Sequence, residues 1–330
     1  MRSLTIPPSV QTLFADLAQQ VATAPRAGSV YRRGRDGPEY IYAKIPVGND
    51  RIDTFIGKSG DPNAEAEAEL LQGGMALAAD RRRIVAMLRR HGLAGPDRTL
   101  GAALDALAHA GLFREGAVLI GTGAYLVSEA LVGSRLPTST LMTGDLDLAT
   151  ASLALSADPP ERMEDILKRA DPTFSAVMQL DPRQPSSHFR NAQGYLVDLV
   201  TPKLRRDDAN PMPLRALQAG AAPLQHLAWL IEDPVATVAL WGAGIPIAVP
   251  QPARFAVHKL ILAQRRDQAN RIKRSKDLAQ ARALIEVLLQ HDRFALVDVL
   301  ADARGRGRDG WSIPIDRSLT ELGLSEAVAI

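Results

Sequence analysis

The chain has 330 residues, 46% of them hydrophobic and 23% charged, with a net charge of +2 and no cysteine. That length supports two or three domains around a substantial core, and the small net charge excludes a polycation drawn as a whole to nucleic acid. Absence of cysteine excludes a disulfide framework, a thiolate metal site and a cysteine nucleophile. No stretch approaches the roughly 20 apolar residues that cross a bilayer, and the opening MRSLTIPPSVQTLF has no signal-peptide core, so a cytoplasmic location is expected.

Val10, Leu13, Phe14, Leu17 and Val21 recur at helical spacing and predict a helix over 9–23. Two β-rich runs, 29–33 and 40–45, flank a Gly/Pro turn and predict a hairpin, with 51–57 as a third strand. The tyrosines here interleave with Arg32, Arg33 and Arg35, a mixture able to stack on bases and pair with phosphates. A twisted hairpin with a solvated basic face is the commoner explanation. Residues 63–92 predict a long helix, or a pair broken at Gly73-Gly74, with Arg81, Arg82, Arg83, Arg89 and Arg90 on a solvated face. A further helix is expected over 100–110.

An apolar run over 117–120 then meets the small-residue turn Gly121-Thr122-Gly123, followed by an amphipathic segment over 124–132. A polar loop leads to a strand carrying Asp145-Leu146-Asp147. Beyond it come a polar, proline-bearing segment over 156–160, a short helix over 163–170 and a strand over 174–180. Segments 187–191 and 195–200 form an antiparallel pair around the 192–194 turn, and 203–222 is a charged loop with a helical turn or two. Three short strands (227–231, 237–241, 245–249) precede helices over 253–266, 277–289 and 291–299. A basic connector spans 267–276, and a flexible, charged turn over 303–310 leads to a last short helix.

Side chains alternate faces along a strand, so Asp145 and Asp147 share one face and Leu146 and Leu148 the other. Two carboxylates so placed repel unless a cation lies between them, and oxygen donors suit Mg²⁺ or Mn²⁺ better than zinc. Asp198, alone in the apolar run 195–200, is the candidate third carboxylate; the alternative is a surface aspartate on an edge strand. The Gly121-Thr122-Gly123 turn precedes a helix whose first N–H groups can hold phosphate. It is neither a dinucleotide fingerprint, because Leu126 stands at the third glycine position, nor a Walker loop. His91, His109, His188, His226, His258 and His291 are dispersed without a metal-binding spacing, and Ser128 and Ser139 lack a nucleophile elbow.

A strand, a Gly-Thr helix start, an Asp-x-Asp strand and a later aspartate together resemble the nucleotidyltransferase superfamily of polymerase-beta-like fold. The chain looks like the AbiEii-type toxins and allied uncharacterised bacterial proteins, with Phe255 to Leu260 and Arg274 to Leu278 similar to their downstream helical motifs. The resemblance implies an α/β (α+β) core with a mixed sheet over 106–250, an N-terminal accessory helix and hairpin region over 1–105, and a C-terminal helical domain over 251–330. It implies Asp145, Asp147 and Asp198 as catalytic, metal-binding residues for Mg²⁺ or Mn²⁺ in a two-metal mechanism. Gly121 and Thr122 would hold the β/γ-phosphates, Arg135 or Lys259 would add positive charge, and Lys276 and Asp277 would line the nucleotide or acceptor side. The implied activity is transfer of a nucleoside monophosphate from an NTP such as ATP (EC 2.7.7 type) to an RNA end such as tRNA, a protein side chain or a small molecule. The alternative is a catalytically silent nucleotide- or partner-binding member, such as one half of a toxin-antitoxin pair.

Overall fold

A computed structural model describes residues 5–34, 37–137, 144–151, 161–179, 181, 183–205, 207–267 and 271–329. Arg35, Ser139, Leu180, the 156–160 segment and the middle of the 267–276 connector lie outside the described residues. Helix α1 (Pro8–Ala22) buries Val10, Phe14, Leu17 and Val21, the stripe its spacing predicts. Strands β1 (Ser29–Arg33), β2 (Tyr40–Val47) and β3 (Asp50–Lys58) form an antiparallel meander. On its inner face Ile41 packs with Ala64 and Ala68 of α2 (Pro62–Arg90).

Helix α2 runs unbroken through Gly73-Gly74. At Gly74 a Cβ would stand 2.1 Å from the carbonyl oxygen of Arg26, so the glycine admits a crossing backbone instead of ending the helix. Arg81 departs from the solvated face: it is 6% exposed, and its Nε donates to the Ala243 carbonyl at 3.3 Å. Asp97 caps α3 (Arg98–His109) by accepting from the Leu100 N–H at 2.8 Å.

The central sheet is mixed. Strand β4 (Val118–Ile120) leads directly into α4 (Gly121–Leu131), and β5 (Asp145–Ala149) pairs antiparallel with β4. After α5 (Met163–Lys168) come β6 (Ser175–Ala176), β7 (His188–Arg190) and β8 (Leu196–Pro202), with β8 parallel to β5 and antiparallel to β7. Among the described residues the strand expected over 174–180 shrinks to the two residues of β6, which pair with β7.

The expected loop over 203–222 instead contains β9 (Met212–Leu214), a short 3-10 turn and β10 (Ala219–Leu224), which lies parallel to β8 and antiparallel to β9. Ala-Gly-Ala-Ala-Pro-Leu has little strand propensity; its pairing partners on both sides impose the conformation. Residues 227–230 form one helical turn, α6 (Leu227–Leu230), with Leu227, Trp229 and Leu230 buried; so short an apolar run carries no readable period. Strands β11 (Val235–Ala239) and β12 (Ile245–Val249) pair as a hairpin.

Helix α7 (Pro252–Arg265) packs against α8 (Arg271–His291), which already begins inside the basic connector. Helix α9 (Arg293–Gly305), a π-helical turn at Arg308–Ser312 in place of a flexible one, and α10 (Ile313–Leu322) follow. One core cluster joins Val47, Leu119, Leu148, Leu199, Phe255, Leu284 and Leu319, so the sheet and C-terminal helices share buried apolar surface. Among the described residues no helix is long and apolar enough to cross a membrane. The architecture is α+β, with a mixed sheet between an N-terminal helix-and-hairpin region and C-terminal helices.

Candidate active site

Alternation along β5 sorts its residues as expected: Leu146 and Leu148 are fully buried, while Asp145 and Asp147 are only partly covered. Strand β8 repeats the pattern, with Val197 and Leu199 buried and Asp198 partly exposed. The register sets Asp147 beside Asp198 on one side and Ile120 on the other. Asp147 therefore sits next to the step from β4 into α4.

That step depends on Gly121. Its φ is +63°, and a Cβ would stand 2.1 Å from Asp147 Oδ2. The turn Gly121-Thr122-Gly123 is the first turn of α4 itself, not a loop before it; Ile120 is the N-cap and supplies no side-chain cap, and Thr122 is buried. A Gly121→Ala variant meets both a left-handed backbone and a clash, so it is expected to lose about 1–3 kcal/mol of stability. Denaturant unfolding checks this: a loss under about 0.5 kcal/mol would show that Asp147 does not rest against this backbone.

Burial, reinforced by Asp145 and then Asp198, pushes the Asp147 carboxyl up to about 6, while Lys259 and Lys273 oppose the rise. Asp198 accepts from the imidazole of His188, with Nδ1 and Oδ1 2.7 Å apart. That hydrogen bond raises the His188 pKa despite partial burial, and the charges of Asp198 and Asp147 add to it. Burial lowers the Lys276 pKa, against the pull of Asp145, Asp277 and Asp147. Lysines of α7 and α8 thus stand within electrostatic reach of the strand carboxylates.

Lys259 and Asp277 are buried together, Nζ to Oδ1 at 2.7 Å, and Arg266 Nε approaches the other Asp277 oxygen at 3.1 Å. Lys259 also lies 5.2 Å from the Phe255 ring centroid. Neighbouring His258 is pushed down to about 3, by burial first and then by the adjacent cations, so it is neutral. Arg135 is placed elsewhere: its guanidinium pairs with Glu129 at 3.3 Å and donates to the His91 carbonyl, tying the end of α4 to the end of α2. Among the described residues no three Asp, Glu or His side chains gather tightly enough to enclose an ion. In donor type and charge, however, Asp145 and Asp147 fit a hard divalent cation, which would relieve the repulsion that raises the Asp147 pKa.

In the sequence His188 is one of six dispersed histidines and Lys273 one of a basic run, Arg265, Arg266, Arg271, Lys273, Arg274 and Lys276, suited to a phosphate-rich acceptor such as tRNA; neither is singled out for the carboxylate site. Counting back from the 192–194 turn places His188 opposite Asp198, so the hairpin register itself was the available signal. Lys273 lay in a segment expected to be a connector, and only the early start of α8 puts it on a helix.

Strand carboxylates on a mixed sheet, opposed by lysines from a helix pair, mark the class: an α+β protein with an acidic site facing cationic helices. A sequence model of a nucleotidyltransferase family matches residues 98–305, from α3 to the end of α9. The chain belongs to that family, whose general activity is nucleoside monophosphate transfer. No curated protein and no solved structure matches it.

Proposed function

We propose that the chain transfers a nucleoside monophosphate from an NTP to a hydroxyl acceptor in the cytoplasm, with Asp145, Asp147 and Asp198 as its catalytic residues. The observation carrying this is the seating of Asp147 against Gly121, between Ile120 and Asp198, within the fields of Lys259 and Lys273. The acceptor hydroxyl gives up its proton to solvent, its oxygen bonds to the α-phosphorus, the bond to the bridging oxygen breaks, and pyrophosphate leaves. Asp145 and Asp147 would hold Mg²⁺ or Mn²⁺, with Asp198 as the third ligand of a two-metal arrangement. Such a cation neutralises phosphate charge and lowers the pKa of an attacking hydroxyl.

The chain's own groups supply the rest. The first N–H groups of α4, at Gly121 and Thr122, lie where the positive end of the helix favours phosphate. His188 orients Asp198. Lys259, Lys273 and Lys276 offset the phosphate charge, and Asp277 fixes Lys259 in place. Arg135, committed to Glu129, is left out of the site. In this reading residues 106–250 are the core, 1–105 an accessory region and 251–330 the helical domain that brings the lysines.

Incubation with Mg²⁺, each α-labelled NTP and total RNA tests the proposal. Label transferred to RNA or to the protein itself supports it and names the acceptor class. No label with any NTP, where the protein still binds nucleotide, overturns it in favour of the silent, partner-binding alternative.

A further inference from the structure

The meander β1–β3 has an outer face that the transfer site does not use. Its inner face is closed by α2. Cross-strand register puts Tyr31 opposite Tyr42 and Tyr42 opposite Phe55 on the outer side, with Arg33 opposite Tyr40 and Tyr40 opposite Lys58. The rings form a connected row: Tyr31 to Tyr42 at 5.6 Å, Tyr42 to Phe55 at 5.5 Å and Phe55 to Tyr40 at 6.0 Å between centroids. Phe55 is 58% exposed. Cross-strand aromatic pairs do strengthen a sheet, but that role alone leaves no reason for a bare phenylalanine ring among charged residues.

The charges decide the partner. On the inner side Arg32 is neutralised by Glu65 and Glu39. On the outer side Arg33, Lys44, Arg51 and Lys58 make no ion pair among the described residues. The outer-face acid Asp53 accepts a hydrogen bond from the Tyr31 hydroxyl at 3.1 Å. A row of rings, Phe55 exposed and the three tyrosines half-buried, is bordered by cations, of which Lys44 lies 5.5 Å from the Tyr31 ring centroid and opposite Asp53. The row matches a strand of phosphates with unstacked bases: rings take the base faces and Arg33, Arg51 and Lys58 the backbone. A protein or lipid partner needs no such alternation. We infer that the outer face of β1–β3 is a docking platform for single-stranded nucleic acid. The platform lies before the residues matched by the family, 98–305. Binding there does not depend on the transfer reaction; only the further step, that the bound strand presents the acceptor hydroxyl, rests on it.

The test is fluorescence anisotropy of a labelled 12-nucleotide single-stranded RNA with the full chain, without NTP or divalent cation, over a range of salt. The same sequence as single-stranded DNA and as a blunt duplex completes the set. Both single strands are expected to bind, the duplex more weakly, with affinity falling as salt rises. Phe55→Ala is expected to weaken binding about fivefold to a hundredfold, and Phe55→Trp to retain it. The pair Arg33→Gln and Lys58→Gln, both exposed and outside the core, is expected to flatten the salt dependence; it carries the test where Phe55→Ala fails to fold. Absence of single-strand binding, equal binding of the duplex, or binding unchanged in the charge variant would each overturn the platform. Because no NTP is present, single-strand binding together with failed transfer would refute the reaction and leave this inference standing.

Discussion

Asp147→Asn is expected to abolish the proposed transfer, by about a thousandfold or more, and to make the protein more stable. Both effects come from one cause. In the folded chain the Asp147 carboxyl is raised from 3.8 to about 6 by burial and by its acidic neighbours. The native state therefore holds the Asp147 proton more tightly than the unfolded chain. Stability falls as pH rises from about 4 to about 6, and the full cost persists above that window. At about 1.4 kcal/mol per pH unit, the charged carboxylate costs on the order of 2–3 kcal/mol at pH 7.5 in the absence of divalent cation. Asparagine keeps the shape and removes that charge. Guanidinium unfolding at pH 7.5 is expected to show the variant more stable by about that amount, with the difference vanishing near pH 4. Added Mg²⁺ is expected to stabilise the native chain and not the variant. A variant that is less stable at pH 7.5, or that keeps full transfer activity, would sink this account of the site.

The parts of this site that sequence exposes are those set by local period. Alternation along a strand fixes the shared face of Asp145 and Asp147, and the apolar run around Asp198 marks it as a charge in need of a partner. The reason for Gly121 is not local. Its lack of a side chain answers to Asp147 on a neighbouring strand, a contact made only when β5 pairs with β4. Arg135 shows the same limit from the other side: the family resemblance offered it, or Lys259, as added positive charge at the phosphates, but in the fold its guanidinium pairs with buried Glu129 and donates to the His91 carbonyl. Strand β10 and helix α6 were hidden for a simpler reason. One is built of small residues, the other is a single turn, and in both the tertiary neighbours choose the conformation.

The largest stability effect is expected at the opposite wall of the site. Asp277 is 2% exposed and accepts from both Lys259 and Arg266. Asp277→Ala leaves two cations without their shared carboxylate, one of them buried, and is expected to cost about 3–5 kcal/mol in urea unfolding. Lys259→Met should cost less, because Arg266 still pairs with Asp277. The double variant Lys259→Met with Asp277→Leu removes the buried ionic contact altogether and should recover much of the Asp277→Ala loss, since a well-packed apolar pair avoids the desolvation penalty. The charge of the lysine also acts on the strand carboxylates. Its positive charge holds the Asp147 pKa below where burial would otherwise take it. Lys259→Met is therefore expected to move the Asp147 titration above about 6, and the pH below which stability ceases to depend on that carboxylate stays near 4. A Lys259→Met protein whose Asp147 titration is unmoved would separate the buried ion pair from the strand carboxylates. The lysine would then serve the helix pair alone, and the cationic wall would reduce to Lys273 and Lys276.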